Sequence, residues 1–129
     1  MDASFPRLFV AVDTPDEKGA VTLGTSLAAL SGLGIKLGLE FFGALGPPGI
    51  RAVREAAPTT PIFLDLKFHD IPNTVAGVVK SIIPLEPTLV TLHASGGPAM
   101  LKAAVRAPDD RTRLPSDALP ALGVFLPRT

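Results

Sequence analysis

The sequence predicts an α/β fold, a parallel sheet flanked by helices, built as the first part of a TIM (β/α)₈ barrel. Three observations predict it. Five short apolar runs recur along the chain, their starts roughly 27 to 33 residues apart, the length of one βαβ step. Helix-like stretches lie between them. Asp13, Lys36, Asp65 with Lys67, and His93 fall in or at the ends of four successive runs, and a barrel draws its site residues from the carboxyl ends of several strands. The competing architecture is a doubly wound sheet. Its Gly-x-Gly-x-x-Gly fingerprint is missing after the first run, which ends Asp13-Thr14-Pro15-Asp16, so the barrel is preferred.

The elements follow in order. Strands are expected at Leu8 to Val12, Ile35 to Leu39, Ile62 to Leu66, Leu89 to Leu92 and Leu122 to Leu126. Their near-continuous apolar character fits strands covered on both faces. Pro15 to Leu30 sets Ala20, Leu23, Leu27 and Leu30 at helical spacing, with Thr14 as N-cap. A shorter helix is expected from Pro48 to Ala56, stopped by Pro58. Ile71 to Ile83 stops at Pro84, and Pro98 to Val105 stops at Pro108. Ala107 to Pro120 is polar and proline-rich and reads as a loop. The 14 prolines and 12 glycines punctuate these junctions rather than forming a low-complexity tract.

Composition narrows the function classes. Twelve basic and twelve acidic residues cancel, which removes the electrostatic case for nucleic acid or an anionic membrane as partner. A hydrophobic content of 47% is too high for a disordered chain. Cysteine is absent, so disulfides and thiolate metal sites are excluded, and no other cluster has metal-ligand spacing. The first apolar run is too short for a signal peptide, and none approaches the roughly 18 residues of a membrane span. The expectation is a soluble cytoplasmic protein with no metal and no cofactor.

The segment Asp65-Leu66-Lys67-Phe68-His69-Asp70-Ile71-Pro72-Asn73-Thr74 carries the chemistry. It leaves the third strand and enters a helix. Asp65 and Lys67 are two apart, so regular alternation puts them on one strand face. Asp70, shortly before Pro72, has the chemistry of a helix start. Charge at a strand exit is costly to desolvate unless it is paired or working. A structural ion pair with a helix cap explains a generic Asp-x-Lys equally well. The continuation to Asp70 and Thr74 shifts the balance to function. His93 reads as a structural histidine hydrogen-bonded at a strand end, in preference to a site residue. His69 reads as positioning or neutral, and Phe41 and Phe42 as helix-packing residues. Glu40 could pair with Lys36, though nothing requires it. Asp109, Asp110, Arg111 and Arg113 read as a solvated loop.

In these motifs the chain resembles the orotidine 5′-phosphate decarboxylase family. The matching pieces are Phe9-Val10-Ala11-Val12-Asp13, Lys36-Leu37-Gly38, Asp65 to Thr74, and Thr91-Leu92-His93-Ala94-Ser95-Gly96-Gly97, in the family's order. The related sugar-phosphate decarboxylases and aldol synthases share Asp-x-Lys-x-x-Asp without the Ile-Pro-Asn-Thr continuation. The resemblance implies conversion of orotidine 5′-phosphate to UMP, with Lys67 donating a proton to C6 of the pyrimidine. It implies Asp65 against the substrate carboxylate, Lys36 and Asp70 completing a Lys-Asp-Lys-Asp array, and Asp13 with Lys36 holding base and ribose. It also implies a homodimer in which Asp70, Ile71 and Thr74 reach the partner's site.

Departures from the family lie after the fourth strand. The family's fifth strand ends in a Thr-Ser pair, where this chain runs Gly123-Val124-Phe125-Leu126-Pro127-Arg128-Thr129. Pro127 cannot donate in a ladder. The family's phosphate-binding arginine belongs to a later element, so Arg128 does not stand in for it. A barrel takes about 200 residues or more, so residues 1–129 are expected to form the N-terminal part of one barrel domain. Remote phosphate binding drives catalysis in such sites. A second reading therefore stays open: an inactive fragment acting only through association. A metal-dependent sugar-phosphate enzyme of the same barrel group is the third.

Overall fold

A computed structural model of the chain describes residues 5–110 and 121–125. Strand β1 (Leu8–Ala11), helix α1 (Glu17–Ala28), strand β2 (Leu33–Gly38), helix α2 (Leu39–Ala56) and strand β3 (Ile62–Phe68) come first. Helix α3 (Pro72–Ile82), strand β4 (Leu89–His93), helix α4 (Pro98–Arg106) and strand β5 (Ala121–Phe125) follow. Contacts divide the chain into two compact units, Met1–Asp65 and Leu66–Thr129, with the boundary inside β3. All five expected strands are present, each within two residues of its expected start.

In the first unit β1 pairs with β2 and β2 with β3, both parallel. The register sets Phe9 opposite Gly34, Ala11 opposite Lys36, Lys36 opposite Phe63, and Gly38 opposite Asp65. Residues opposite each other share a face, and so do residues two apart. One face therefore carries Phe9, Gly34, Lys36, Phe63, Gly38 and Asp65. The other carries Ile35, Leu37, Ile62 and Leu64, all fully buried under the helices. Phe41, Ile50 and Val53 of α2 are fully buried as well. A closely fitted cluster of this kind costs about 2–5 kcal/mol for each large side chain cut back to Ala.

Helix α1 departs from the expected stripe. Ala20 and Gly24 are its buried residues, whereas Leu23 and Leu30 are exposed. Small residues one turn apart let the helix approach closely, and a Cβ at Gly24 would already touch Val53 and Ile35. The N-cap is Asp16, not Thr14: the Asp16 carboxylate accepts the Gly19 N–H at 2.9 Å. Thr14 sits one step back, its hydroxyl accepting the Asp16 N–H at 3.1 Å. Helix α2 begins nine residues before the expected Pro48. It is two helical pieces joined across a kink at Gly46, where φ is 59°. Glycine takes this left-handed conformation without a Cβ clash, and Pro47 with Pro48 can restart a helix but not continue one. Pro48, the expected start, therefore lies just past a kink inside a longer helix. Phe41, in the first piece, packs in the core as expected.

In the second unit β4 and β5 are parallel, Leu89 opposite Ala121 through His93 opposite Phe125. Helix α3 buries Val75, Val79 and Ile82, spaced i, i+4, i+7 on one face. Val75, Val79, Ile83, Leu92, Met100, Ala104 and Ala107 form its core. Ile83–Leu85 continue α3 as a 3₁₀ turn through Pro84. Ala107–Asp110 form a short 3₁₀ helix where a loop was expected. The rest of that segment lies outside the described residues, as do Arg111, Arg113, Pro127 and Arg128. Among the described residues no helix is long and apolar enough to cross a membrane.

Candidate active site at the carboxyl ends of the strands

The Phe9 ring lies over Gly34, where a Cβ would stand 2.5 Å from ring atoms. It meets Phe63 edge to face, ring centroids 5.4 Å apart. These two rings make an apolar floor on the strand face that also carries Lys36 and Asp65. One step further along the strands, Gly38 leaves room at the level of Asp65. A Cβ there would be 3.8 Å from the Asp13 carboxylate, so Asp13, two residues beyond β1, leans over the end of β2.

Above the floor Lys36 and Asp65 pair, with Nζ 3.5 Å from Oδ2. Asp65 is level with Gly38, two residues beyond Lys36 in register, so the long lysine side chain reaches forward along its strand. Their side chains are only 28% and 12% exposed. Partial burial strengthens their mutual attraction relative to bulk water. The ion pair falls on Asp65, and Glu40 is exposed at the start of α2. The structure thus brings Lys36 and Asp65 into contact and sets Asp13 beside the same strand ends.

Lys67 follows Asp65 by two residues, within β3. Its backbone is left-handed, with φ 49°. Regular alternation therefore does not carry to this residue, and the local backbone sets its direction instead. A non-glycine residue held this way costs on the order of 1–3 kcal/mol, and such strain gathers at functional sites. The Lys67 N–H donates to the Thr91 hydroxyl oxygen at 3.1 Å. Thr91 is buried in β4, 8% exposed. Two residues on, the His93 ring contacts the His69 ring, centroids 5.1 Å apart and planes 30° apart. In the sequence Thr91 opens the motif Thr91 to Gly97 and has no role of its own. Its signal was a hydroxyl inside the apolar run Leu89 to Leu92, since a buried hydroxyl needs a partner.

Asp70 is exposed, unlike Asp65, and it is not the helix cap. Ile71 is the N-cap, Pro72 opens the helix, and the Asp70 carboxylate accepts the Ile71 N–H at 2.7 Å. The aspartate fixes the entry to α3 from one residue further out, because Pro72 needs an extended residue before it. Ile71 is 64% exposed, and Thr74 is exposed one turn along. Among the described residues no three His, Asp or Glu side chains gather where one metal ion could be held.

Parallel strands, the first four each followed by a helix, with charged side chains at the strands' carboxyl ends, define a protein of the (β/α)₈-barrel class, here the first part of one. The sequence profile of the orotidine 5′-phosphate decarboxylase / HUMPS family matches residues 6–122. The chain belongs to that family. It is 50% identical over 121 residues to an orotidine 5′-phosphate decarboxylase of Rhodospirillum rubrum, covering 94% of this chain and 45% of the relative. The counterpart from Paramagnetospirillum magneticum is 45% identical over 115 residues, covering 89% of this chain and 48% of its own. Among solved structures, an uncharacterized conserved protein of Geobacillus kaustophilus is similar with a TM-score of 0.76 and 34% identity, over 91% of this chain and 53% of that one. Orotidine 5′-phosphate decarboxylase of Lactobacillus acidophilus gives 0.72 and 33%, over 93% of this chain and 52% of that one. The chain spans about half the length of the curated relatives it matches.

Proposed function

We propose that this chain supplies the reacting residues of an orotidine 5′-phosphate decarboxylase that works without a metal or organic cofactor. The observation that carries the reading is the Lys36–Asp65 pair at 3.5 Å, with Lys67 two residues further along β3. The identity to relatives named orotidine 5′-phosphate decarboxylase supports the choice of substrate.

The reaction breaks the bond between C6 of the pyrimidine and the carboxylate carbon. The electron pair stays on C6 in an sp² orbital that the ring cannot delocalise, and carbon dioxide leaves. The protein must then stabilise charge directly. A fixed ammonium at the developing carbanion does this best where water is excluded and nothing has to reorganise. Lys67 fills that role and then gives its proton to C6. Solvent reprotonates the amine. Asp65 stands against the substrate carboxylate, and the repulsion between them relaxes as carbon dioxide departs. Lys36 holds Asp65 in place and, with Asp13, binds base and ribose. Asp70, Ile71 and Thr74, exposed around the entry to α3, reach the site of a second copy in a homodimer.

The test is a chimera in which residues 1–122 replace the matching portion of the Rhodospirillum rubrum relative. Loss of orotidine absorbance should proceed faster than about 1 s⁻¹, within the usual range of enzymes, and persist in EDTA. Lys67→Ala should lower it by about a hundredfold or more, the lower end of what a positioned proton donor contributes. A folded chimera that leaves orotidine 5′-phosphate intact would overturn the reading. Metal-dependent turnover of a sugar phosphate would move the chain to the other branch of its family.

A further inference from the structure

Thr91 and the backbone of Lys67 make a connection that the reaction as written does not use. Lys67 sits at the exit of β3 with φ 49°, a conformation that an unbranched side chain does not favour by itself. Its N–H is held at 3.1 Å by the hydroxyl oxygen of Thr91. Thr91 is 8% exposed in β4, and its strand neighbours Val90 and Leu92, whose side chains alternate to the opposite face, are buried there, so the strand that carries the acceptor is held in place. Just downstream, the His69 ring lies against that of His93, two residues beyond Thr91 on the same strand. Phe68 packs on the core cluster around Val75 and Leu92. The turn that carries Lys67 is therefore fastened to β4 at two points and to the core at a third.

We infer that Thr91 is a positioning residue for Lys67. Its hydroxyl selects the left-handed backbone and so sets the direction in which the ammonium leaves the strand. The inference rests on Lys67 being the proton donor, but its structural half can be read without turnover. Threonine suits the task because its hydroxyl accepts the Lys67 N–H while its methyl group adds apolar bulk at a position only 8% exposed. Valine keeps the shape and deletes the acceptor. Serine keeps the acceptor and loses a methyl group.

The experiment compares Thr91→Val and Thr91→Ser in two settings. In the 129-residue chain, NMR follows the Lys67 amide exchange rate and its Cα and Cβ shifts, which report backbone conformation. Thr91→Val should speed exchange roughly tenfold, as expected for the net loss of one hydrogen bond, and move the shifts toward extended values. Thr91→Ser should keep both. In the chimera, Thr91→Val should lower kcat by on the order of tenfold to a hundredfold, the penalty for a misaligned reacting group, with KM held within about twofold. Thr91→Ser should restore kcat. A purely structural threonine would instead lower the melting temperature and the active fraction, with the serine variant no better than valine. Unchanged Lys67 shifts and exchange in Thr91→Val would overturn the inference, and so would an unchanged kcat. A chimera without turnover in which Lys67 still responds to Thr91→Val would sink the proposed reaction and leave the positioning intact.

Discussion

Lys36 and Asp65 form their ion pair on the same face of three parallel strands that carries the edge-to-face contact of Phe9 with Phe63. Gly38, opposite Asp65 in register, adds no side chain to that face. The rings come from β1 and β3, the charges from β2 and β3, and the glycine from β2.

The pair should be coupled beyond the sum of its parts. Lys36→Met and Asp65→Asn, combined in a double-mutant cycle on the unfolding of the chain, should give an interaction energy of about 0.5–2 kcal/mol. Added salt should weaken it only partly, since both groups are mostly buried. Additive effects would show that the contact contributes nothing to the folded state.

Gly34 should not tolerate a side chain. A Cβ there would meet the Phe9 ring at 2.5 Å and the Pro61 carbonyl oxygen at 3.0 Å. The ring can move, but the carbonyl cannot, because it accepts the Ile35 N–H at 2.9 Å. Gly34→Ala should cost about 1–3 kcal/mol by denaturant unfolding, as overpacking does. Adding Phe9→Leu should return part of that loss, and a neutral Gly34→Ala would contradict the close approach.

Arg54 should be worth more than its half-exposed position suggests. Its guanidinium donates to the Thr60 carbonyl at 2.6 Å and to that of Pro58 at 3.4 Å, tying the end of α2 to the turn before β3. Arg54→Met should destabilise the chain by about 1–3 kcal/mol, the range for charged hydrogen bonds. Arg54→Lys should recover part of the loss, since both bonds leave one nitrogen, Nη1, and an ammonium has donors enough for two carbonyls. Equal midpoints for wild type and Arg54→Met would count against the tie.

If the entry to α3 meets a second copy, Ile71 should act in the assembly rather than in the fold. Ile71→Arg places a charge where 64% of the residue is exposed, so the melting temperature of the monomer should hardly change. In the chimera, sedimentation should shift toward monomer and turnover per chain should fall on dilution. A dimer as tight as the parent would remove α3 from the interface.

Much of this arrangement was readable in the chain. The apolar runs and their spacing depend on burial, which is written residue by residue, and all five strands fall where those runs predict. Asp65, Lys67 and Lys36 stood out because charge at the end of a buried strand needs a reason. Helix starts were less legible. Asp16 displaced Thr14 as the cap of α1 because either side chain could accept a backbone N–H, and only the course of the turn chose between them. Small buried residues such as Ala20 and Gly24 escaped a hydropathy stripe, since close approach between elements rewards their size.

The sequence by itself determined the parallel α/β class, the order of its elements and the identity of the charged residues at the strand ends. These follow from local composition and from the periods of strand and helix. Tertiary structure alone decided that Lys36 pairs with Asp65, that Phe9 fills the space above Gly34, and that Thr91 holds Lys67 in a left-handed turn. Each of these depends on register between strands far apart in the chain. A hydrogen bond from residue 67 to residue 91 has no local signature; it exists only once β4 is in place to offer the acceptor.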